Sequence, residues 1–224
     1  PANAIRFCLQ KAGIAIEDVD ELAHSFDYSP YKLLYSLDPV SSEIYRDVFS
    51  REALLASVAR AFPEVPAERV VHVNHHLAHA ASAYYTSGWE DCLVIVADGM
   101  GEAHGVSIYQ GGNGRLKLIA SISALDSIGI LYSLITLHLG FDFNSDEYKI
   151  MGLAPYGDPS RFRDFFDKSV HLRQNGTIEI PLLRYNRTRF ERENYTASRE
   201  YLERHLIPAR HPDADITDDH RDVA

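Results

Sequence analysis

The sequence predicts an α/β fold, and three neighbouring features in the middle of the chain lead to that prediction. Residues 93–97 form a continuous apolar run, as in a strand buried on both faces. Two strand patterns, 105–110 and 116–122, flank a glycine-rich turn and predict a β-hairpin. Residues 128–139 form a strongly apolar segment that predicts a helix. Residues 93–97 are therefore expected to lie in a mixed sheet.

The first third of the chain adds helices and short strands to this centre. Apolar residues recur at helical spacing over residues 2–12, and Gly13 ends that helix. The remaining patterns predict, in order, a strand over 19–26, a helix over 42–62, a buried strand over 69–73 and a helix over 75–86 that Asn74 caps.

The last third is predicted with less regular structure. Residues 144–159 contain two glycines, two prolines and three acidic residues and are predicted to form a loop. A short helix, a strand pair around 169–182 and a charged helix over 188–205 follow. The two cysteines, Cys8 and Cys92, are expected to be small buried side chains without a disulfide.

Composition excludes several kinds of partner. The 224 residues carry a formal net charge of −10, which disfavours binding to a nucleic-acid backbone. No apolar stretch reaches the length of a transmembrane helix, and no signal peptide is apparent, so the cytoplasm is the expected compartment. The chain begins and stops inside predicted helices, and we therefore expect a piece of a longer protein.

Two histidines form the first candidate site. His75 and His79 are four residues apart and lie on one face at the start of a predicted helix. Two imidazoles in this arrangement suit one shared divalent metal. Packing of histidines at a helix start explains the pair equally well. A zinc peptidase is disfavoured, because no glutamate follows the first histidine.

An acidic turn after the central strand forms the second candidate site. Asp98 ends the apolar strand, and Gly99 and Gly101 allow a phosphate or similar group to approach the backbone closely. The carboxylate is a hard metal ligand and a candidate proton acceptor. Glu102 is a second candidate proton acceptor, although a solvated carboxylate in a turn explains it as well.

A third candidate site lies in the predicted loop 144–159. Lys149 stands between an acidic pair and Gly152, and its charge could hold an anionic group. A surface lysine in a structural loop is the simpler interpretation. Three tyrosines earlier in the chain either line a pocket or pack together: Tyr28, Tyr31 and Tyr35.

The three segments that contain these sites together resemble one enzyme family. The segments are Asn74-His-His-Leu-Ala-His, Asp98-Gly-Met-Gly-Glu and Asp146-Glu-Tyr-Lys-Ile-Met-Gly. In this order they resemble the carbamoyltransferases of the nodulation-protein-U and antibiotic O-carbamoylation type. The resemblance extends from the first helix to about residue 210.

The resemblance implies a ribonuclease-H-like, actin-like ATPase domain, present here in part. It also implies a C-terminal adenylate-forming domain of the same protein, which makes carbamoyl-adenylate from carbamoyl phosphate and ATP. The actin-like domain then transfers the carbamoyl group to a hydroxyl of a small natural-product or sugar acceptor. By position, His75, His79 and Asp98 match the metal ligands of the family, whose metal is usually described as iron.

The same resemblance indicates what this chain lacks. The first β-hairpin, the later half of the actin-like domain and the adenylate-forming domain are absent. We therefore expect the chain alone to be inactive in carbamoyl transfer and prone to self-association. The alternative function is that of a nucleotide-binding actin-like module that acts as a regulated switch or scaffold.

Overall fold

The computed structural model describes all residues from Pro1 to Ala224, which form two compact units, Pro1–His79 and Ala80–Ala224. Helices and strands are mixed along the chain, which confirms the predicted α/β class. None of the helices combines the length and the apolar composition that a membrane-spanning segment requires.

The first unit contains one small sheet and several short helices. Strands β1 (Leu22–His24) and β2 (Val70–His72) pair in parallel, with His24 opposite His72. Both strands are shorter than the sequence predicts. The helices that begin in this unit are α1 (Ala2–Ala12), α2 (Lys32–Tyr35), α3 (Pro39–Ile44), α4 (Arg51–Ala61) and α5 (His75–Ser87).

The single helix predicted over 42–62 is wrong, because the chain breaks at Ser50. Helix α3 runs into a π-helical turn, Tyr45–Phe49, and the backbone at Ser50 is extended, with φ −72° and ψ 156°. The Ser50 side chain accepts a hydrogen bond from the backbone N–H of Ala53 at 3.1 Å. Ser50 therefore caps a new helix, α4, as serine does when its side chain replaces a backbone acceptor.

The second unit is built around an antiparallel sheet. Its strands are β3 (Cys92–Gly101), β4 (His104–Gly112) and β5 (Arg115–Ser123), in the order β3-β4-β5. Asn113 and Gly114 connect β4 to β5, and both have positive φ, 50° and 69°. Two such residues are typical of a tight hairpin turn. The predicted hairpin is thus confirmed.

The mixed sheet expected around residues 93–97 is not observed. Strand β3 pairs only with β4, and that pairing is antiparallel. The strand also continues past Asp98 to Gly101, with a shift of register between Ala97 and Gly101. A bulge of this kind lets a strand redirect its side chains without ending.

Helices cover one part of this sheet and form the main core. Helix α6 (Ile128–His138) packs against β3, and Leu134 and Leu139 are fully buried. The other elements of this unit are α7 (Glu147–Leu153), α8 (Arg163–Ser169), β6 (His171–Leu172), β7 (Ile178–Glu179), α9 (Pro181–Arg184), α10 (Arg189–Asn194), α11 (Thr196–His205) and α12 (Asp218–Val223).

Three further predictions need correction. The loop predicted over 144–159 contains α7, because Ile150 is fully buried in the apolar core and holds that segment in a helix. The charged helix predicted over 188–205 is divided into α10 and α11 at Tyr195, which has φ 52°. Cys8 is exposed and Cys92 only partly buried, although both are free thiols, as predicted.

Candidate metal and transfer site

The two candidate metal-binding histidines lie together at the start of α5. Asn74 caps this helix, because its side-chain oxygen accepts a hydrogen bond from the backbone N–H of Leu77 at 3.0 Å. His75 and His79 are four residues apart in the sequence. Their ring centroids are 4.6 Å apart, and the ring planes are nearly perpendicular. Their Nε2 atoms are 3.1 Å apart. The predicted pairing of these two imidazoles is therefore present in the first unit.

A turn after β1 holds His75 in this orientation. The Nδ1 atom of His75 is 3.0 Å from the carbonyl oxygen of Ser25, so Nδ1 donates a hydrogen bond, and in the neutral ring Nε2 then offers a lone pair. The ring of Phe26 stacks on the same imidazole, with centroids 4.1 Å apart and an interplanar angle of 11°. Metal-binding histidines usually donate their second ring N–H in this way.

Sequence reasoning did not find Ser25 or Phe26. They lie about 50 residues before His75. No local pattern marks either residue as part of a site. An aromatic column continues from this turn, because Phe26 also stacks on Tyr28, and Tyr28 stacks on Phe49. Tyr28 is buried, so it both packs and lines a pocket, whereas the sequence left these two roles as alternatives.

Asp98 lies in the second unit, near the end of β3. Its carboxylate accepts a hydrogen bond from the backbone N–H of Gly99 at 2.6 Å. Its carbonyl oxygen accepts a hydrogen bond from the hydroxyl of Ser127 at 2.8 Å. Ser127 also caps α6 by accepting from the N–H of Ile130 at 3.1 Å. One serine therefore joins the Asp98 turn to the start of α6.

Close backbone contact reinforces this attachment. A Cβ atom added at Gly129 would lie 2.5 Å from the backbone nitrogen of Gly99 and 2.6 Å from the carbonyl carbon of Asp98. Only glycine fits this position without a shift of the backbone. The first turn of α6 thus supports the Asp98 turn directly. Sequence reasoning missed this role of Ser127 and Gly129.

The three residues predicted to bind a metal are divided between the two parts of the chain. His75 and His79 belong to the first unit, and Asp98 belongs to the second. The metal-binding role of this set remains a prediction.

Glu102 differs from the solvated carboxylate that the sequence allowed as an alternative. It is only 6% exposed, and its φ of 47° places it in the left-handed region after the bulge of β3. Gly101 is also buried and pairs with His104 across the turn. A buried carboxylate needs polar partners, and this position holds it away from bulk water. Its role as a proton acceptor remains a prediction.

Lys149 lies on α7 and already has an anionic partner. Its Nζ atom is 2.7 Å from Oδ2 of Asp146, and this hydrogen bond raises the pKa of the lysine and lowers that of the aspartate. The same ammonium lies 5.7 Å from the centre of the Phe141 ring. Gly152 is on the same helix, with open space where a side chain would extend. Anion binding by this segment remains a prediction.

Comparison with known proteins identifies the family. A family model described as the carbamoyltransferase N-terminus matches residues 35–205. Nodulation protein NolNO of Sinorhizobium fredii is 35% identical over 190 residues, which is 84% of this chain and 28% of that protein. Nodulation protein NolO of Bradyrhizobium diazoefficiens is 37% identical over 110 residues, which is 49% of this chain and 20% of that protein.

A third relative extends the similarity along the chain. An uncharacterised protein of Synechocystis sp. is 27% identical over 242 residues, which is 100% of this chain and 38% of that protein. This chain thus spans between a fifth and two fifths of the length of these three relatives. Because the family model covers most of the chain, the chain belongs to the family defined by the carbamoyltransferase N-terminus.

Proposed function

We propose that the protein is an O-carbamoyltransferase and that this chain supplies its metal-binding part. Family membership supports the reaction type. The observation that carries the metal assignment is the His75–His79 pair, with one Nδ1 anchored on a backbone carbonyl and the two Nε2 atoms 3.1 Å apart.

The donor set fits a divalent cation. Two imidazole nitrogens bound to one ion at about 2.0–2.1 Å lie roughly 2.9–3.4 Å apart in octahedral or tetrahedral geometry. The observed separation falls within this range. Imidazole suits iron as well as zinc, and a carboxylate adds a hard ligand. We propose Asp98 as that third ligand and iron as the metal, following the resemblance to the family.

The proposed reaction is attack by an acceptor hydroxyl on the carbonyl carbon of carbamoyl-adenylate. A new C–O bond forms, the bond between the carbonyl carbon and the phosphate oxygen breaks, and AMP leaves. A bound metal would supply Lewis-acid polarisation. Asp98 or the buried Glu102 would receive the hydroxyl proton. Gly99 and Gly101 would let the adenylate approach the backbone, and Lys149 and Gly152 would contact its anionic part.

The remaining parts of the proposal concern the whole protein. We propose that the chain belongs to a ribonuclease-H-like, actin-like domain that works with an adenylate-forming domain of the same protein. That partner would make the carbamoyl-adenylate from ATP and carbamoyl phosphate. The acceptor would be a small hydroxylated molecule, and the compartment would be the cytoplasm.

The test uses the complete gene product. It is supplied with carbamoyl phosphate, ATP, magnesium, ferrous iron and a panel of hydroxylated acceptors, and products are identified by mass spectrometry. We expect a carbamoylated acceptor and stoichiometric AMP from the unaltered protein. His75→Ala and His79→Ala should each remove bound metal and transfer, whereas the exposed His211→Ala should retain both.

Two outcomes would contradict the proposal. ATP turnover without any carbamoylated product would favour the alternative, a nucleotide-dependent switch or scaffold. Full activity in the doubly substituted His75→Ala, His79→Ala protein would show that the histidine pair does not serve transfer.

A further inference from the structure

The second unit contains an open cavity of about 430 Å³ at the end of α5. Its lining includes the exposed aromatic residues Tyr85 and Trp89, the exposed acidic residues Glu90 and Asp91, and the turn between β4 and β5. All of these residues belong to the second unit. The cavity contains none of the residues assigned above to the metal or to carbamoyl transfer.

Two tyrosine hydroxyls give this cavity a fixed frame. The Tyr84 hydroxyl donates a hydrogen bond to the carbonyl of Glu90 at 2.9 Å and accepts one from the backbone N–H of Gly114 at 3.2 Å. The Tyr85 hydroxyl donates a hydrogen bond to the carbonyl of Gly114 at 3.0 Å. The end of α5, the segment before β3 and the β4–β5 turn are thus joined to one another. A ligand would meet a pre-formed cavity, which lowers the entropic cost of binding.

The aromatic part of the lining is open to solvent. Trp89 is the single tryptophan of the chain and is 68% exposed. Tyr85 offers a second exposed ring at the same cavity. Tryptophan and tyrosine are among the residues that contribute most to the binding energy of protein interfaces. These two rings therefore favour a ligand that packs on flat apolar surfaces.

The charges around the cavity favour a cation. Glu90 and Asp91 contribute two exposed carboxylates, and no lysine, arginine or histidine side chain lines the cavity. Helix α5 ends at Ser87 without a basic residue in its last turn, so the negative end of its dipole adds to the same potential. Anionic ligands are disfavoured, since anion sites depend on basic side chains.

The combination of flat rings and carboxylates determines which cation fits. A guanidinium group is planar, stacks on aromatic faces and donates paired hydrogen bonds to a carboxylate. An ammonium group is a compact, strongly hydrated charge and uses a flat surface less well. Free arginine also carries a carboxylate, for which the cavity supplies no basic side chain. An arginine side chain within a polypeptide therefore matches the lining best.

We propose that this cavity is a docking site for an arginine side chain of a partner protein. The guanidinium group stacks on the exposed rings of Tyr85 and Trp89 and donates hydrogen bonds to the carboxylates of Glu90 and Asp91. The apolar stem of the arginine packs on the same rings. The proposal makes no use of metal binding or carbamoyl transfer.

The test uses the fluorescence of Trp89, because the chain contains no other tryptophan. The probes are acetylated and amidated pentapeptides of glycine and serine with one central residue, which is arginine, lysine or the uncharged arginine analogue citrulline. At constant ionic strength we expect a saturable change of emission with the arginine peptide and none with the citrulline peptide up to about 20 mM. The lysine peptide and free L-arginine should each bind about threefold more weakly or less than the arginine peptide.

Substitutions check which side chains hold the guanidinium group. The double substitution Glu90→Gln, Asp91→Asn retains the fluorescent ring and should weaken binding of the arginine peptide by about fivefold or more. Its control, Glu64→Gln with Glu68→Gln, removes the same charge from exposed positions of the first unit and should leave the affinity unchanged. Trp89→Leu, measured by calorimetry, should weaken binding by about threefold to tenfold. Circular dichroism identifies which variants are folded.

The unaltered protein decides the matter even if no variant folds. No saturable change with the arginine peptide up to about 20 mM, or equal binding of the citrulline peptide, would overturn the proposal. Tighter binding of free arginine than of the peptide would assign the cavity to a small molecule and overturn the partner assignment. Equal weakening by the two double substitutions would show that the net charge of the chain, and not this cavity, attracts the peptide.

Discussion

The imidazole of His75 stacks on the ring of Phe26, with centroids 4.1 Å apart and planes inclined by only 11°. The carbonyl oxygen of the preceding residue, Ser25, lies 3.0 Å from Nδ1 of the same imidazole. One turn thus fixes both the plane of the ring and the nitrogen that carries its hydrogen. A ligand fixed in this way loses little conformational freedom when it binds a metal.

Replacement of the stacked ring should weaken metal binding. In Phe26→Leu the carbonyl of Ser25 remains, but the His75 ring loses the flat surface that holds it. We expect the affinity for a divalent ion to fall by about tenfold, the lower end of the effect of outer-shell substitutions. Titration calorimetry with ferrous or zinc ions measures it.

The exposed Phe190→Leu is the matched control, because Phe190 is 67% exposed and lies in the second unit. Equal metal affinity in the two variants would show that stacking by Phe26 does not orient His75.

Two glycines near the predicted site should respond oppositely to alanine. In Gly129→Ala the new methyl group would meet the backbone of Asp98 and Gly99 within 2.6 Å, so α6 or the Asp98 turn must move. We expect a loss of about 1–3 kcal/mol in the free energy of unfolding. In Gly152→Ala the methyl group enters open space on a helix, and a gain of about 0.5–1 kcal/mol is expected. Urea unfolding measures both, and equal effects would contradict the close packing of Gly129 against the Asp98 turn.

Stability should decrease in mild acid because of His138. Burial lowers the pKa of this histidine, although its hydrogen bond to the carbonyl of Ile207 at 2.8 Å acts in the opposite direction. Glu203 raises this pKa, whereas His220 and Arg199 lower it.

A pKa below the unfolded value of about 6.5 means that the unfolded chain binds the proton first. The stabilisation by neutral His138 is thus complete above about pH 6.5 and is lost as the pH falls towards the folded pKa.

The check compares urea unfolding at about pH 7.5 and pH 5.5 for the unaltered chain and for His138→Gln. Glutamine keeps an N–H donor but does not titrate, so the variant should lose less stability between the two pH values. The pKa of His220 is also lowered, and this residue remains in both proteins, which makes the comparison specific to His138. The same pH dependence in both proteins would assign the effect to other groups.

Local patterns predicted the parts of the fold that local forces determine. The strand at 93–97, the hairpin and the helix that begins at Ile128 were all found, because each depends on residues that are adjacent in the sequence. The expected burial of residues 93–97 on both faces was wrong, because Leu93 and Ile95 are exposed. The His75–His79 pair was found for the same reason, since helical spacing alone brings the two rings together.

Distant contacts account for what was missed. Ser25 meets His75 across 50 residues of sequence, and Ser127 meets Asp98 across 29. Neither serine belongs to a pattern that would identify its partner. Helix α7 was missed because its flanking prolines and acidic residues resemble a loop, whereas burial of Ile150 outweighs those local preferences.

The exposed face of β3 leads to a prediction about association. Leu93 and Ile95 are 64% and 66% exposed on the same face of this edge strand, and exposed apolar strands at a sheet edge promote pairing between chains. We expect the isolated chain to self-associate increasingly with concentration in sedimentation-velocity experiments. The double substitution Leu93→Thr, Ile95→Thr places a β-branched residue, which favours a strand, at both positions while it removes most of the apolar surface, and it should shift the protein towards monomer. A matched change on a helix of the first unit, Leu33→Thr, removes a residue that is 78% exposed and should leave the distribution unchanged. A monomeric unaltered chain, or equal association in both variants, would show that this face of β3 does not mediate association.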